Sequence, residues 1–213
     1  MCVRIKICGI TDVDAVRAVS AVGVDAVGLV FADSPRRVTL AQAHALCQHL
    51  AKGIRRVAVL RHASSGEVNR IVQGFAPDVV QCEPNDDIDE TILDHCRFLP
   101  VFHDNEQLLA EVAIWRDKRK FDGTILLEAR GRGGRGVQPD WERAAKLAQD
   151  GPLALAGGLT AGNVAAAIDT VMPAWVDASS SLEIRPGHKS PARIIEFITE
   201  VRRAGAALQR KTA

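Results

Sequence analysis

TILLEARGRGGRGVQPDW, residues 124 to 141, reads as a strand, a glycine loop and the start of a helix. Thr124, Ile125, Leu126 and Leu127 form the apolar run that a strand covered on both faces requires. Glu128 follows where that strand emerges, a position from which a carboxylate can do chemistry. Gly131, Gly133, Gly134 and Gly136 carry no Cβ, so the loop's N–H groups can curl around a phosphate. Asp140 then supplies an N-cap side chain for a helix running to Gln149.

The same unit recurs in both directions along the chain. Expected strands are Val3–Cys8, Asp25–Phe31, Arg55–Leu60, Asp78–Cys82, Phe98–Phe102, Leu153–Ala156 and Ala174–Asp177, and each is followed by an amphipathic stretch. Thr11-Asp12-Val13-Asp14 and Ser64-Ser65-Gly66-Glu67 have capping-box spacing and open the first and third helices, the first ending near Gly23. Further helices are expected over Leu40–Lys52, Asp87–His95, Asn105–Arg119, Ala161–Val171 and Pro191–Arg203. Eight such repeats without a long linker predict an α/β protein, a (β/α)8 TIM barrel formed by residues 1–213 as a single domain. An open doubly wound sheet would carry GxGxxG directly after the first strand, where Cys8-Gly9-Ile10-Thr11 stands instead.

In such a barrel the active groups gather at the C-terminal ends of the strands. That rule selects Cys8, Phe31, Arg61, Cys82, Phe102, Glu128, Ala156 and Asp177. Phosphate belongs on the last two loops, and both suit it: Gly157-Gly158-Leu159 after the seventh strand, and Ser179-Ser180-Ser181-Leu182-Glu183 after the eighth. Ser180 and Glu183 have capping-box spacing, which predicts a short helix with its free N–H groups on the anion.

Composition excludes several other classes. A net charge of +1 over 213 residues gives no field for nucleic acid or an acidic membrane, and no apolar run reaches a membrane span. The five cysteines show no zinc spacing, which predicts reduced thiols, no metal and a cytoplasmic setting. Cys2, Cys47, Cys82 and Cys96 read as packing residues, and the six histidines show no ligand spacing and receive no role. The Arg130–Gly136 tract superficially matches an RNA-binding RGG repeat, but one short tract in a near-neutral folded chain does not make one.

Lys6-Ile7-Cys8-Gly9-Ile10-Thr11, the Gly28-Leu29-Val30-Phe31 strand with Ser34-Pro35-Arg36, the glycine loop ending at Asp140-Trp141, Gly157-Gly158-Leu159 with Asn163-Val164, and Val176-Asp177 with Ser179-Ser180 and Pro186-Gly187 carry a resemblance across nearly the whole chain. In that order they resemble the phosphoribosylanthranilate isomerase family. The resemblance implies a cofactor-free Amadori rearrangement in tryptophan biosynthesis, converting the aminoaldose N-(5-phosphoribosyl)anthranilate to the aminoketose. Cys8 matches the family's general base and Glu128 stands at its general acid. Arg36 corresponds to the residue that holds the anthranilate carboxylate, with Arg37 as a substitute. Substrate contacts are expected from Lys6, Arg36, Gly134, Gly136, Gly157, Gly158, Asp177, Ser179, Ser180 and Ser181, in a monomer or homodimer acting on a small phosphorylated sugar.

The chain departs from the family pattern at three places. Glu128 replaces an aspartate, Val80-Gln81-Cys82-Glu83-Pro84 lacks the family's histidine, and Ser181 replaces a glycine. Lys6, two residues from Cys8 on the same strand face, is expected to favour the thiolate, whereas Arg130, Arg132 and Arg135 are expected to lower the Glu128 carboxyl, the wrong direction for an acid. Other readings are a lyase or aldolase using Lys6 as a Schiff-base amine, an isomerase for another phosphorylated sugar, and a non-catalytic phosphate-ester binder.

Overall fold

Eight parallel strands close into a barrel in the order β1 to β8, as the sequence repeats predict. The computed structural model describes residues 3–85, 95–130 and 137–212. The strands are β1 (Arg4–Cys8), β2 (Ala26–Val30), β3 (Arg55–Val59), β4 (Val79–Cys82), β5 (Arg97–His103), β6 (Ile125–Glu128), β7 (Leu153–Leu155) and β8 (Trp175–Ala178). Helices α1 (Val13–Val22), α2 (Leu40–Cys47), α3 (Ser65–Phe75), α4 (Leu108–Arg119), α5 (Trp141–Gln149), α6 (Val164–Val171) and α7 (Pro191–Thr212) accompany them. A two-stranded antiparallel ribbon, β9 (Glu183–Arg185) and β10 (His188–Lys189), lies between β8 and α7. The expected helix over Asp87–His95 falls almost wholly outside the described residues.

Strand residues alternate between two cores, as a period of two requires. Ala26, Val57, Val79, Leu99, Val101, Leu126, Ala154 and Trp175 fill the barrel. Their neighbours Ile5, Ile7, Val27, Val80, Phe102, Ile125, Leu127 and Val176 pack outward against the helices. Parity corrects part of the strand-end expectation: Phe31, Cys82 and Phe102 belong to the outer core, not to the mouth.

Helix ends show where local chemistry differs from the sequence reading. Asp12, not a Thr11–Asp14 box, caps α1 by accepting from the Ala15 N–H at 2.8 Å, while the Thr11 hydroxyl donates to the Gly187 carbonyl. Thr39 and Gln42 form a capping box that opens α2 at its expected start. That helix stops at Cys47 rather than Lys52, because the next amides turn back three residues, His49 to Leu46 and Leu50 to Cys47. The side chain of Asn105 accepts from the Gln107 N–H at 2.7 Å, delaying α4 to Leu108. Asn163 holds the Thr160 amide at 2.7 Å and so delays α6 to Val164.

Candidate active site

Register fixes which side chains meet at the C-terminal mouth. Lys6 on β1 is paired with Asp177 on β8, Cys8 on β1 with Gly28 on β2, and His103 on β5 with Glu128 on β6. All six sit at inward parity. Gly28 is required by its neighbour, since a Cβ there would lie 2.8 Å from Cys8 Sγ and 3.1 Å from Cys8 Cα. β6 reaches β1 through β7 and β8, so Cys8 and Glu128 are not diametrically opposed; Asp177 stands on the strand beside β1 and acts on both.

The charges around Cys8 are closed on themselves. Lys6 Nζ lies 2.7 Å from Asp177 Oδ2, with side chains only 4% and 8% exposed. Burial alone would lower the Lys6 amine, but Asp177 and Cys8 reverse this and raise it, so the ammonium persists. Burial also raises Asp177, yet a full ammonium at 2.7 Å decides for the ionised pair. Lys6 does favour the Cys8 thiolate, as expected, but burial outweighs it. Burial raises the thiol most, and Asp177 and Glu128 act with it against Lys6 and Lys189.

Glu128 also departs from expectation, in the favourable direction. Burial and then Asp177 raise its carboxyl, outweighing His103, Arg61 and Lys6. Desolvation decides because the carboxylate is the form that loses water. Arg132 and Arg135, expected to oppose this, lie outside the described residues.

Arg36 is placed by a turn in which its amide donates to Ser34 Oγ at 3.1 Å. Its Nε and Nη2 form a fork on Glu183 at 2.6 and 2.8 Å, and Lys189 holds the same carboxylate at 2.8 Å. A guanidinium has five donors, so further N–H groups remain for a ligand. Arg37 is exposed and lines a separate cavity of about 260 Å³ near Arg70, away from this cluster.

The two expected phosphate loops come together. Ser181 Oγ donates to the Leu159 carbonyl at 2.5 Å, linking the loop after β8 to the loop after β7. Asn163 Nδ2 holds the Gly158 carbonyl at 2.9 Å. At Gly157, φ is +90° and a Cβ would lie 3.0 Å from both the Ala129 amide and the Val137 carbonyl, so only glycine fits. Ser180–Leu182 forms a single 3₁₀ turn after Ser179 rather than a boxed helix, because Glu183 leaves the turn into β9 and binds Arg36 and Lys189. Gly134 and Gly136 lie outside the described residues.

Two inward-facing oxygens, Gln81 Oε1 and Asp177 Oδ1, are buried without a hydrogen-bond partner among the described residues. Gln81 and His103 were not singled out by sequence, although strand parity, counted one residue further along β5, would have found the histidine. A cavity of about 1240 Å³ opens at the other end of the barrel, lined by Arg4, Arg55, Arg97 and Trp175. Its inner end touches Lys6 and Asp177, but the thiol and Glu128 are not part of it. Among the described residues no group of three His, Cys, Asp or Glu could hold a metal, and no helix is long and apolar enough to cross a membrane.

Fold and site together define a class: a (β/α)8 barrel whose C-terminal mouth presents a thiol and a protonatable carboxyl beside two tied small-residue loops. The family model described as N-(5'phosphoribosyl)anthranilate (PRA) isomerase matches residues 5–200, and the chain belongs to that family. The isomerase of Azorhizobium caulinodans is 33% identical over 216 residues, covering 97% of this chain and 95% of its own. That of Xylella fastidiosa is 34% identical over 205 residues, covering 94% and 92%. Among solved structures, a monomeric form of the dimeric enzyme of Thermotoga maritima superposes with a TM-score of 0.81 at 27% identity, covering 93% of this chain and 98% of that one. A phosphoribosylanthranilate isomerase in complex with reduced 1-(o-carboxyphenylamino)-1-deoxyribulose 5-phosphate gives 0.78 at 29% identity, covering 93% and 98%.

Proposed function

We propose that this chain isomerises N-(5'-phosphoribosyl)anthranilate to the aminoketose phosphate in tryptophan biosynthesis, with Glu128 as general acid and Cys8 as general base. The observation that carries this is the acid end of β6: a carboxyl raised by burial at the mouth of a barrel that also presents an inward-facing thiol. Protonation of the furanose oxygen by Glu128 breaks its bond to C1 and opens the sugar to a Schiff base. Cys8 takes the C2 proton, the electron pair forms the C1–C2 double bond of an enolamine, and tautomerisation gives the ketone at C2. No atoms are gained or lost.

Both groups are raised, and the thiol starts from a higher ordinary value than the carboxyl. With one proton between them, the productive thiolate and carboxylic acid form competes with the thiol and carboxylate form. Everything that raises Glu128 enlarges the productive form. Asp177 Oδ1 and Gln81 Oε1 accept hydroxyl protons of the opened sugar, the free edge of Arg36 takes the anthranilate carboxylate, and Gly157, Gly158 and Ser179–Ser181, with Gly134 and Gly136, cradle the phosphate. We further propose that residues 1–213 work as one domain, as a cytoplasmic monomer or homodimer.

A Schiff-base lyase needs an unprotonated Lys6, and the Asp177 pair favours the ammonium. The test follows the fluorescence decay of freshly generated phosphoribosylanthranilate with the wild-type chain, Cys8→Ala and Glu128→Ala. Loss of a proton-transfer group costs roughly 10²–10⁴-fold, so both variants should fall to near background. Full activity in either variant removes that residue from the mechanism.

A further inference from the structure

β5 runs one residue past Phe102, and that residue, His103, turns into the mouth. Its Nε2 lies 3.1 Å from Glu83 Oε1, and its Nδ1 lies 3.4 Å from the Ala129 carbonyl oxygen. Both partners are acceptors. A neutral imidazole would set a lone pair against one of them, whereas an imidazolium donates to both. Glu83 is itself ionised: burial works against this, but the hydrogen bond and charge of His103, with Arg61 and His62, hold its carboxyl below the ordinary range. Arg61 Nε stands 3.8 Å from the same oxygen. His103 correspondingly rises, through the Glu83 hydrogen bond first, against burial, and then through the Glu83 and Glu128 charges.

His103 and Glu128 are Cα partners on adjacent strands, so their side chains leave the sheet on one face with backbones about 4.8 Å apart. We propose that Glu83 and His103 form a positioning pair: Glu83 keeps His103 as an imidazolium, and this fixed charge is the counter-ion for the carboxylate that Glu128 becomes on giving up its proton. The inference rests on Glu128 being the acid. The family's histidine at the end of β4 is replaced here by Glu83, and the histidine that meets it comes from β5. Glu128 is also faced by Asp177 from β8, Lys6 from β1 and Arg61 after β3. Lys6 is balanced by Asp177 in the same wall, which leaves His103 first among the charges that favour the Glu128 carboxylate.

The experiment is the pH profile of kcat/KM for wild type, His103→Gln, His103→Lys and Glu83→Gln, together with a ¹³C titration of the Glu128 carboxyl in each. At low pH both Cys8 and Glu128 carry protons, and loss of the first, from the more acidic Glu128, produces the one-proton form that reacts. The acid limb therefore follows Glu128. Removing the cation in His103→Gln should move both the limb and the carboxyl titration upward by roughly half to one pH unit. His103→Lys should return them towards wild type, and Glu83→Gln should move them the same way by less. Limb positions do not depend on how much enzyme folds, so partial instability leaves the result readable. An unmoved limb and an unmoved carboxyl in His103→Gln would overturn the proposal. A carboxyl that moves without the limb keeps the counter-ion and instead removes Glu128 as the acid.

Discussion

The two walls of the mouth are built from the same parts and behave differently. On the β8–β1–β2 wall, Lys6 and Asp177 neutralise each other in near-complete burial, and Cys8 lies against Gly28 with no spare volume. On the β4–β5–β6 wall, Glu83 and His103 are partly exposed, at 15% and 26%, and stand beside the Glu128 carboxyl. The difference teaches how one barrel gives two titratable groups different surroundings. Cys8 sits where burial fixes everything around it, and Glu128, itself raised by burial, sits beside a partly exposed cation.

The largest break in that comparison is Asp177→Asn. It leaves the Lys6 ammonium buried without its partner, which typically costs about 3–5 kcal/mol, whereas Glu83→Gln on the wetter wall should cost only about 1 kcal/mol. Urea unfolding of the two variants measures both. Equal losses would mean that the walls do not differ in the way described.

Gly28→Ala is next. The added methyl would stand 2.8 Å from Cys8 Sγ and 3.1 Å from its Cα, so the thiol and its backbone must yield. A displacement of about 1 Å in a reacting group costs on the order of a hundredfold in rate, and overpacking costs about 1–3 kcal/mol in stability. The expected signature is a kcat that falls much further than the fraction of folded enzyme. Unchanged turnover in a folded Gly28→Ala variant would show that the thiol has room.

The two walls also differ in how far sequence exposes them. Lys6 and Cys8 lie two residues apart in one motif, and a strand's period puts them on one face without further information. The glycine and serine loops were equally visible, because residues without bulk mark backbone that must approach something. The β4–β5–β6 wall needs three strands in register, and a strand end placed at Phe102 instead of His103 turns the inward residue outward. That single step hid the histidine. Burial was hidden too: charge counting made Lys6 an activator of Cys8 and the arginines suppressors of Glu128, but desolvation is the largest influence on both groups and acts upward on each. The Arg36–Glu183–Lys189 cluster joins residues 147 apart in sequence and shows no local signal.

The smallest expected effect separates the walls by pH. Asp177 at 2.7 Å holds the Lys6 ammonium above its ordinary 10.5 against burial, whereas Glu83 and His103 shift on either side of neutrality. His103 is raised above its ordinary 6.5 in the folded chain, so its contribution to stability is complete below 6.5 and is lost as pH rises through the folded value. Glu83 is lowered below 4.5, so its contribution is complete above 4.5 and is lost as pH falls through its folded value. The pair therefore stabilises most between those two ordinary values, by about 1 kcal/mol for a partly exposed charged hydrogen bond. The difference in unfolding free energy between wild type and His103→Gln should be largest in that window and shrink as the medium becomes alkaline. A difference that stays flat with pH would mean that the ring contributes packing alone, and the β4–β5–β6 wall would then resemble the β8–β1–β2 wall after all.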